Sequence, residues 1–124
     1  MAMAAKMNTE EISNFRALRK HLIELDEQEQ QEMVNQALQK AGKAAAILKQ
    51  NYEVEHVYLY GSLAWGGFNA SSDIDLFLIG FKGNYWRACS EVEAITAPIK
   101  ISLACEEDCV DSLRNKVLWK GVEL

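Results

Sequence analysis

Apolar residues recur every three or four positions at the start of the chain, at Ile12, Phe15, Leu18, Leu22 and Leu25, which is the spacing of one helical face. Asn8 followed by Glu11 reads as a capping box that starts this helix. Asp26 with Glu29 repeats the start signal, and Met33, Val34, Ala37, Leu38, Ala41, Ala45 and Leu48 form a second stripe. The pattern predicts two helices, with the polar run Asp26–Glu32 as the solvated first turns of the second. Past Asn51 the period drops to two. His56, Tyr58 and Tyr60 alternate with Val57 and Leu59, and Gly61 stops the strand. Asp73–Ile79 reads as a second strand, Gly80–Asn84 as a loop, and Tyr85–Ile95 as a helix carrying Trp86, Ala88, Cys89, Val92 and Ile95. A third strand, Ile99–Ala104, follows Pro98. A closing helix, Val110–Trp119, ends at Gly121 and turns Val110, Leu113, Val117 and Leu118 inward. Helices interspersed with three strands predict a small α/β (α+β) domain.

Length and composition narrow the picture without sharpening it. The 124 residues suit one core with an appended element, and 49% hydrophobic and 25% charged residues are ordinary for a folded globular chain. A formal net charge of -5 argues against an extended nucleic-acid surface, which needs a basic patch. No apolar run reaches the length of a membrane span, and Met1–Met7 holds one lysine and no sustained apolar stretch, so the expected location is the cytoplasm. Cys89, Cys105 and Cys109 are odd in number and lack zinc spacing, which predicts free thiols. His21 and His56 have no partner at metal-ligand spacing, and Trp65, Trp86 and Trp119 read as core or edge packing.

Chemistry concentrates in "YGSLAWGGFNASSDIDLFLIG", Tyr60 to Gly80. On a strand, Asp73 and Asp75 project together while Ile74, Leu76 and Leu78 point to the other face. Two adjacent carboxylates repel unless a cation holds them, and Mg²⁺ takes one or two carboxylates together with substrate phosphates. Upstream, Gly61 permits a sharp turn with its backbone open to a ligand, and Ser62 begins a segment whose N–H groups and hydroxyl suit a phosphate oxygen. A cation holder and an anion holder so close in sequence would together grip a metal-bound nucleoside triphosphate.

The run Gly61-Ser62-Leu63-Ala64-Trp65-Gly66 followed by Ser72-Asp73-Ile74-Asp75-Leu76 resembles the Gly-Ser and Asp-x-Asp signature of the DNA polymerase beta-like nucleotidyltransferase superfamily. It is most similar to the minimal nucleotidyltransferase (MNT) branch, small bacterial and archaeal proteins that are often the antitoxin partner of a helical HEPN-domain toxin. The resemblance covers about Leu38 to Leu124. Residues 1–37 are then an N-terminal helical extension and 38–124 the nucleotidyltransferase domain. The resemblance implies a small mixed sheet flanked by helices, Asp73 and Asp75 as catalytic metal ligands for Mg²⁺, and Gly61 and Ser62 as nucleotide-binding residues. It further implies transfer of a nucleoside monophosphate, usually AMP from ATP, to an acceptor hydroxyl. No acceptor-binding domain is visible, so the acceptor is expected to be a protein partner of the HEPN type. The N-terminal helices offer a further surface for a partner or a homo-oligomer.

The chain departs from that signature at a third carboxylate, expected on the next strand. Matching from the strand's C-terminal end puts Ser102 there, and matching from Pro98 puts Lys100 there. Neither is acidic. Loss of that acid should weaken the ion that activates the acceptor, and a Lys100 ammonium near the pair offers a metal-free alternative. Glu106, Glu107 and Asp108 follow at the strand end. The alternative function is therefore a catalytically degenerate binding module that neutralises or assembles with a partner by contact alone.

Overall fold

The structure, a computed structural model, describes residues 8–124. Met1–Met7, part of the expected extension, lies outside the described residues. Helix α1 spans Thr9–Asn51, and its start is the expected capping box: the Glu11 amide donates to Asn8 Oδ1 at 2.7 Å and the Asn8 amide to Glu11 Oε2 at 3.2 Å. The expectation of two helices is corrected, because α1 is a single helix of 43 residues. Asp26 and Glu29 look like a second start, but a cap acts only where the chain has left the helix. No glycine or proline lies between Thr9 and Ala41 to make it do so. The Glu/Gln-rich run carries good helix formers straight through.

The chain divides between Glu32 and Met33 into two units, each described by itself. In the first, every described residue is exposed, and Ile12, Phe15, Leu18, Leu22 and Leu25 lie in solvent. In the second, Ala37, Ala41, Ala44, Ala45 and Leu48 are buried, a stripe of small side chains that lets a helix approach a sheet closely. Leu38, expected on that stripe, is instead 41% exposed: Ala37, Ala41, Ala44 and Ala45 set the buried face, and Leu38 sits beside it.

The sheet is built from β1 (His56–Tyr60), β2 (Ile74–Ile79), β3 (Ile101–Cys105) and β4 (Val122–Glu123), in the order β3-β2-β1-β4. β1 runs antiparallel to β2 and β4, while β2 and β3 are parallel, so the sheet is mixed. A parallel pair needs a crossover, which is supplied by helix α3 (Tyr85–Thr96), capped by the Asn84 side chain accepting from the Arg87 amide at 3.1 Å. Val57, Leu59, Ile74, Leu76 and Leu78 cluster with the alanine stripe and with Ala88 and Val92 of α3, forming the core on one face. By alternation Phe77 belongs to the other face, and it is fully buried.

Helix α4 (Asp111–Lys120) packs on β1 and buries Val117. Its other expected inward residues do not follow: Val110 is exposed, Leu113 is half-buried and Leu118 is exposed. A single helix laid on a narrow sheet covers only one line of side chains. For the same reason Trp119 of α4, expected to pack, is 81% exposed, and Trp86, at the start of α3 away from the buried Ala88 and Val92, is 76% exposed. The two-residue β4 was not foreseen. It pairs with Tyr58 and Leu59, and His56 Nδ1 meets Glu123 Oε1 at 2.7 Å beside it. The three cysteines are free, as expected. No helix among the described residues is long and apolar enough to cross a membrane.

Candidate functional site

Asp75 lies near the start of the interior strand β2, opposite Tyr60 on β1 and Ser102 on β3. Directly opposed residues share a face, so Tyr60, Asp75 and Ser102 form a row on the side away from the alanine stripe. Asp73 sits just before β2 and is exposed. It is placed by the Ile74 amide donating to Lys100 O at 2.8 Å. The loop delivering it is shaped by its own side chains: Asn69 Oδ1 accepts from the Ser71 amide at 2.9 Å, and Ser72 Oγ from the Asn69 amide at 3.0 Å. Asp73, one residue before β2, and Asp75 within it stand close enough at one sheet end for the Asp73 charge to act on Asp75.

The turn after β1 closes on them. Gly61 has φ 75°, in the left-handed region, and a Cβ there would overlap Oδ2 of Asp75. Both backbone conformation and space therefore require glycine. The short helix α2 (Ser62–Trp65) starts from this turn, with the amides of Ala64 and Trp65 donating to Gly61 O at 3.1 and 2.9 Å. The amides of Ser62 and Leu63, at the first turn, have no intrahelical acceptor. Leu63 anchors the turn by burial. Trp65 ties it to α4, its Nε1–H donating to Lys120 O at 3.0 Å.

Burial pushes the Asp75 carboxyl up from the usual carboxylate range, and the neighbouring Asp73 charge adds to the rise. Among the described residues neither carboxylate forms an ion pair. This is the electrostatic state that a divalent cation relieves, and the all-oxygen donor set suits Mg²⁺. Asp73 and Asp75 thus fit the ion that the sequence suggested. No group of three or more His, Cys, Asp or Glu side chains among the described residues is arranged to hold a metal, so the carboxylate set is a pair.

The register decides between the two third-acid positions. Ser102 pairs directly with Asp75, whereas Ile74 pairs with Ile101, so Lys100 lies beside Asp73 one step back. Lys100 is exposed and forms no ion pair with either aspartate among the described residues, and it borders the same space as Asp73. Glu106 does not reach back either. It follows Cys105 at the far end of β3, about 13 Å along the strand from Ser102, and pairs with Arg114 at 2.6 Å.

Some neighbours carried no signal in the sequence. Tyr60 flanks Asp75, and burial first, then the Asp75 charge, raise its phenol above the ordinary range. Lys116 Nζ lies 4.7 Å from the Trp65 ring centroid and Lys120 Nζ 5.9 Å. Lysines fifty residues downstream cannot be assigned to a turn by spacing. On the other side of β2, a space of about 440 Å³ is bordered by Asp73, Glu93, Pro98 and Lys100.

Residues 42–124 match the family described as Polymerase beta, Nucleotidyltransferase, and the chain belongs to that family. The mixed sheet with its flanking helices is the polymerase beta-like nucleotidyltransferase fold. A solved structure of similar fold comes from a mutant of the toxin-antitoxin MntA-HpeT, with a TM-score of 0.54 at 14% identity over 68% of this chain and 70% of that one. No curated protein matches the chain.

Proposed function

We propose that this chain is a minimal nucleotidyltransferase that transfers a nucleoside monophosphate, AMP from ATP, to a hydroxyl of a protein partner in a Mg²⁺-dependent reaction. The carrying observation is the closure of the Gly61 turn onto the Asp75 carboxylate, with Asp73 two residues away: first-turn amides without an intrahelical acceptor start beside a carboxylate that has no ion pair among the described residues. Family membership supports the reaction class. The toxin-antitoxin origin of the structural relative supports a toxin as partner, with this chain as antitoxin, and a helical toxin of the HEPN type is the one the sequence resemblance implies.

Asp73 and Asp75 would hold Mg²⁺, which when bound neutralises phosphate charge and orients the α-phosphate. Gly61 keeps the backbone close enough to the carboxylates for one triphosphate to touch both. Ser62 offers its hydroxyl and amide to a phosphate oxygen. The nucleotide then lies on the β1 side of Asp75, and the acceptor hydroxyl approaches from the β3 side, where the space next to Asp73 and Lys100 opens. In-line transfer asks little more of the protein than this placement. The test is to incubate the chain and its co-purified partner with ATP labelled in its α-phosphate. Label on the partner, lost in Asp73→Ala and Asp75→Ala, is expected, and an unlabelled partner with both proteins folded overturns the transfer reading.

A second reading has its own observation, Ser102 directly opposite Asp75. With no acid there, the pair retains nucleotide-bound metal better than an ion serving the acceptor, and the chain acts by contact with its partner alone. Neutralisation of the partner that persists in Asp73→Ala separates this reading from the first.

A further inference from the structure

The end of α4 and the Gly61 turn meet through several independent contacts. Trp65 Nε1–H donates to Lys120 O at 3.0 Å. A Cβ at Gly121 would overlap Val117 O and meet Leu59 O at 3.3 Å, so the end of α4 is seated on the last residues of β1. β4 then continues the chain along Tyr58 and Leu59. Two cations are brought beside the last residue of α2 as a result. Lys116 Nζ stands over the Trp65 indole at 4.7 Å and Lys120 Nζ at 5.9 Å, and Trp65 is itself three residues from Ser62.

Neither ammonium has a carboxylate partner among the described residues, in a chain whose net charge is -5. Lys120, at the last turn of α4, also suits the helix dipole, but Lys116 lies one turn further in, where that interaction fades. The Trp65 face engages each ammonium from one side, with Lys120 Nζ also 5.8 Å from the Trp119 centroid, and leaves the remaining N–H donors for an anion. The turn thus has carboxylates on its β2 side and free ammonium groups on its α4 side.

We propose that Lys116 and Lys120, steadied by Trp65, bind the β- and γ-phosphates of a nucleoside triphosphate seated at the Gly61–Ser62 turn. The inference rests on the nucleotide-binding reading above and adds the feature that selects a triphosphate over shorter nucleotides. A magnesium ion at Asp73 and Asp75 leaves residual negative charge on a triphosphate, and the two lysines offset it from the opposite side. The leaving diphosphate is then held by groups that do not contact the acceptor.

Isothermal titration tests this with Mg²⁺ and either ATP or AMP as ligand. The proteins are the parent, Lys116→Ala, the Lys116→Ala/Lys120→Ala pair and Lys116→Arg, each checked for an unchanged melting temperature. The expected result is an ATP dissociation constant raised about tenfold to a hundredfold in the alanine pair and by less in Lys116→Ala, near the parent value in Lys116→Arg, with AMP binding unaffected. Parent-like ATP binding by the alanine pair overturns the inference and leaves the nucleotide reading standing. An equal loss for ATP and AMP overturns the assignment to the distal phosphates. A parent that binds neither nucleotide removes the reading on which the inference rests.

Discussion

Gly61 is packed against the carboxylate of Asp75 so closely that no side chain fits between them, and its φ of 75° excludes one on backbone grounds as well. The prediction is that Gly61→Ala forces the turn away from β2. It should cost about 1–3 kcal/mol of stability and abolish nucleotide binding while the far-UV spectrum stays that of the parent. Chemical denaturation with a parallel ATP titration measures both.

The same proximity gives Asp75→Asn an unusual sign. Burial and the Asp73 charge raise the Asp75 carboxyl, so its ionised form opposes folding at neutral pH. Stability from this group is full below the unfolded carboxylate pKa of about 4 and is lost as pH rises through the elevated folded value. Asp75→Asn should therefore melt above the parent at pH 7, with the gain disappearing below about pH 4, and should not bind Mg·ATP. A variant less stable than the parent at pH 7 would mean that the pair is not a site of stored repulsion.

Ser102 faces Asp75 across the parallel β2–β3 pairing, and an acid there would complete the carboxylate set. Ser102→Asp is expected to raise transfer to the partner by at least about tenfold, and Lys100→Asp to leave it near the parent level. Initial rates at saturating Mg²⁺ distinguish the two. Equal effects would indicate a register different from the one observed.

Tyr85 reports on the crossover that holds β3 in place. Its hydroxyl donates to Leu103 O at 2.7 Å, and burial pushes the phenol up to about 12. The neutral form is the one the fold favours, so this contribution is intact below about pH 10 and fades as pH rises from there toward 12. Tyr85→Phe should lose about 1 kcal/mol at pH 7 and show a weaker decline in melting temperature across that alkaline window. Ultraviolet titration should show one fewer late-ionising tyrosine.

Much of this arrangement was legible in the sequence because it is local. Alternation at His56–Tyr60 and Asp73–Ile79 marked β1 and β2, which the structure has as His56–Tyr60 and Ile74–Ile79. Asn8 and Glu11 announced the start of α1. What escaped depends on partners distant in sequence. Whether Asp26 starts a helix or sits within one is decided by the absence of a breaker, and an acidic cap signal is equally compatible with an uninterrupted helix. The choice of Ser102 over Lys100 is set by where β3 begins pairing with β2, and both residues occupy the same alternating face. The exposure of Trp119 follows from how little of α4 the sheet covers, and the placing of Lys116 follows from the seat of Gly121 on β1. No spacing rule within one segment carries that information.

In the function proposed for the chain, Asp73, Asp75, Gly61 and Ser62 form one grip for a metal-bound nucleoside triphosphate. Isothermal titration of ATP into the parent and into Asp73→Ala, with and without Mg²⁺, tests it most directly. Saturable binding by the parent only when Mg²⁺ is present, and none by a folded Asp73→Ala, is the expected result. Magnesium-independent binding, or binding that survives Asp73→Ala unchanged, would contradict it.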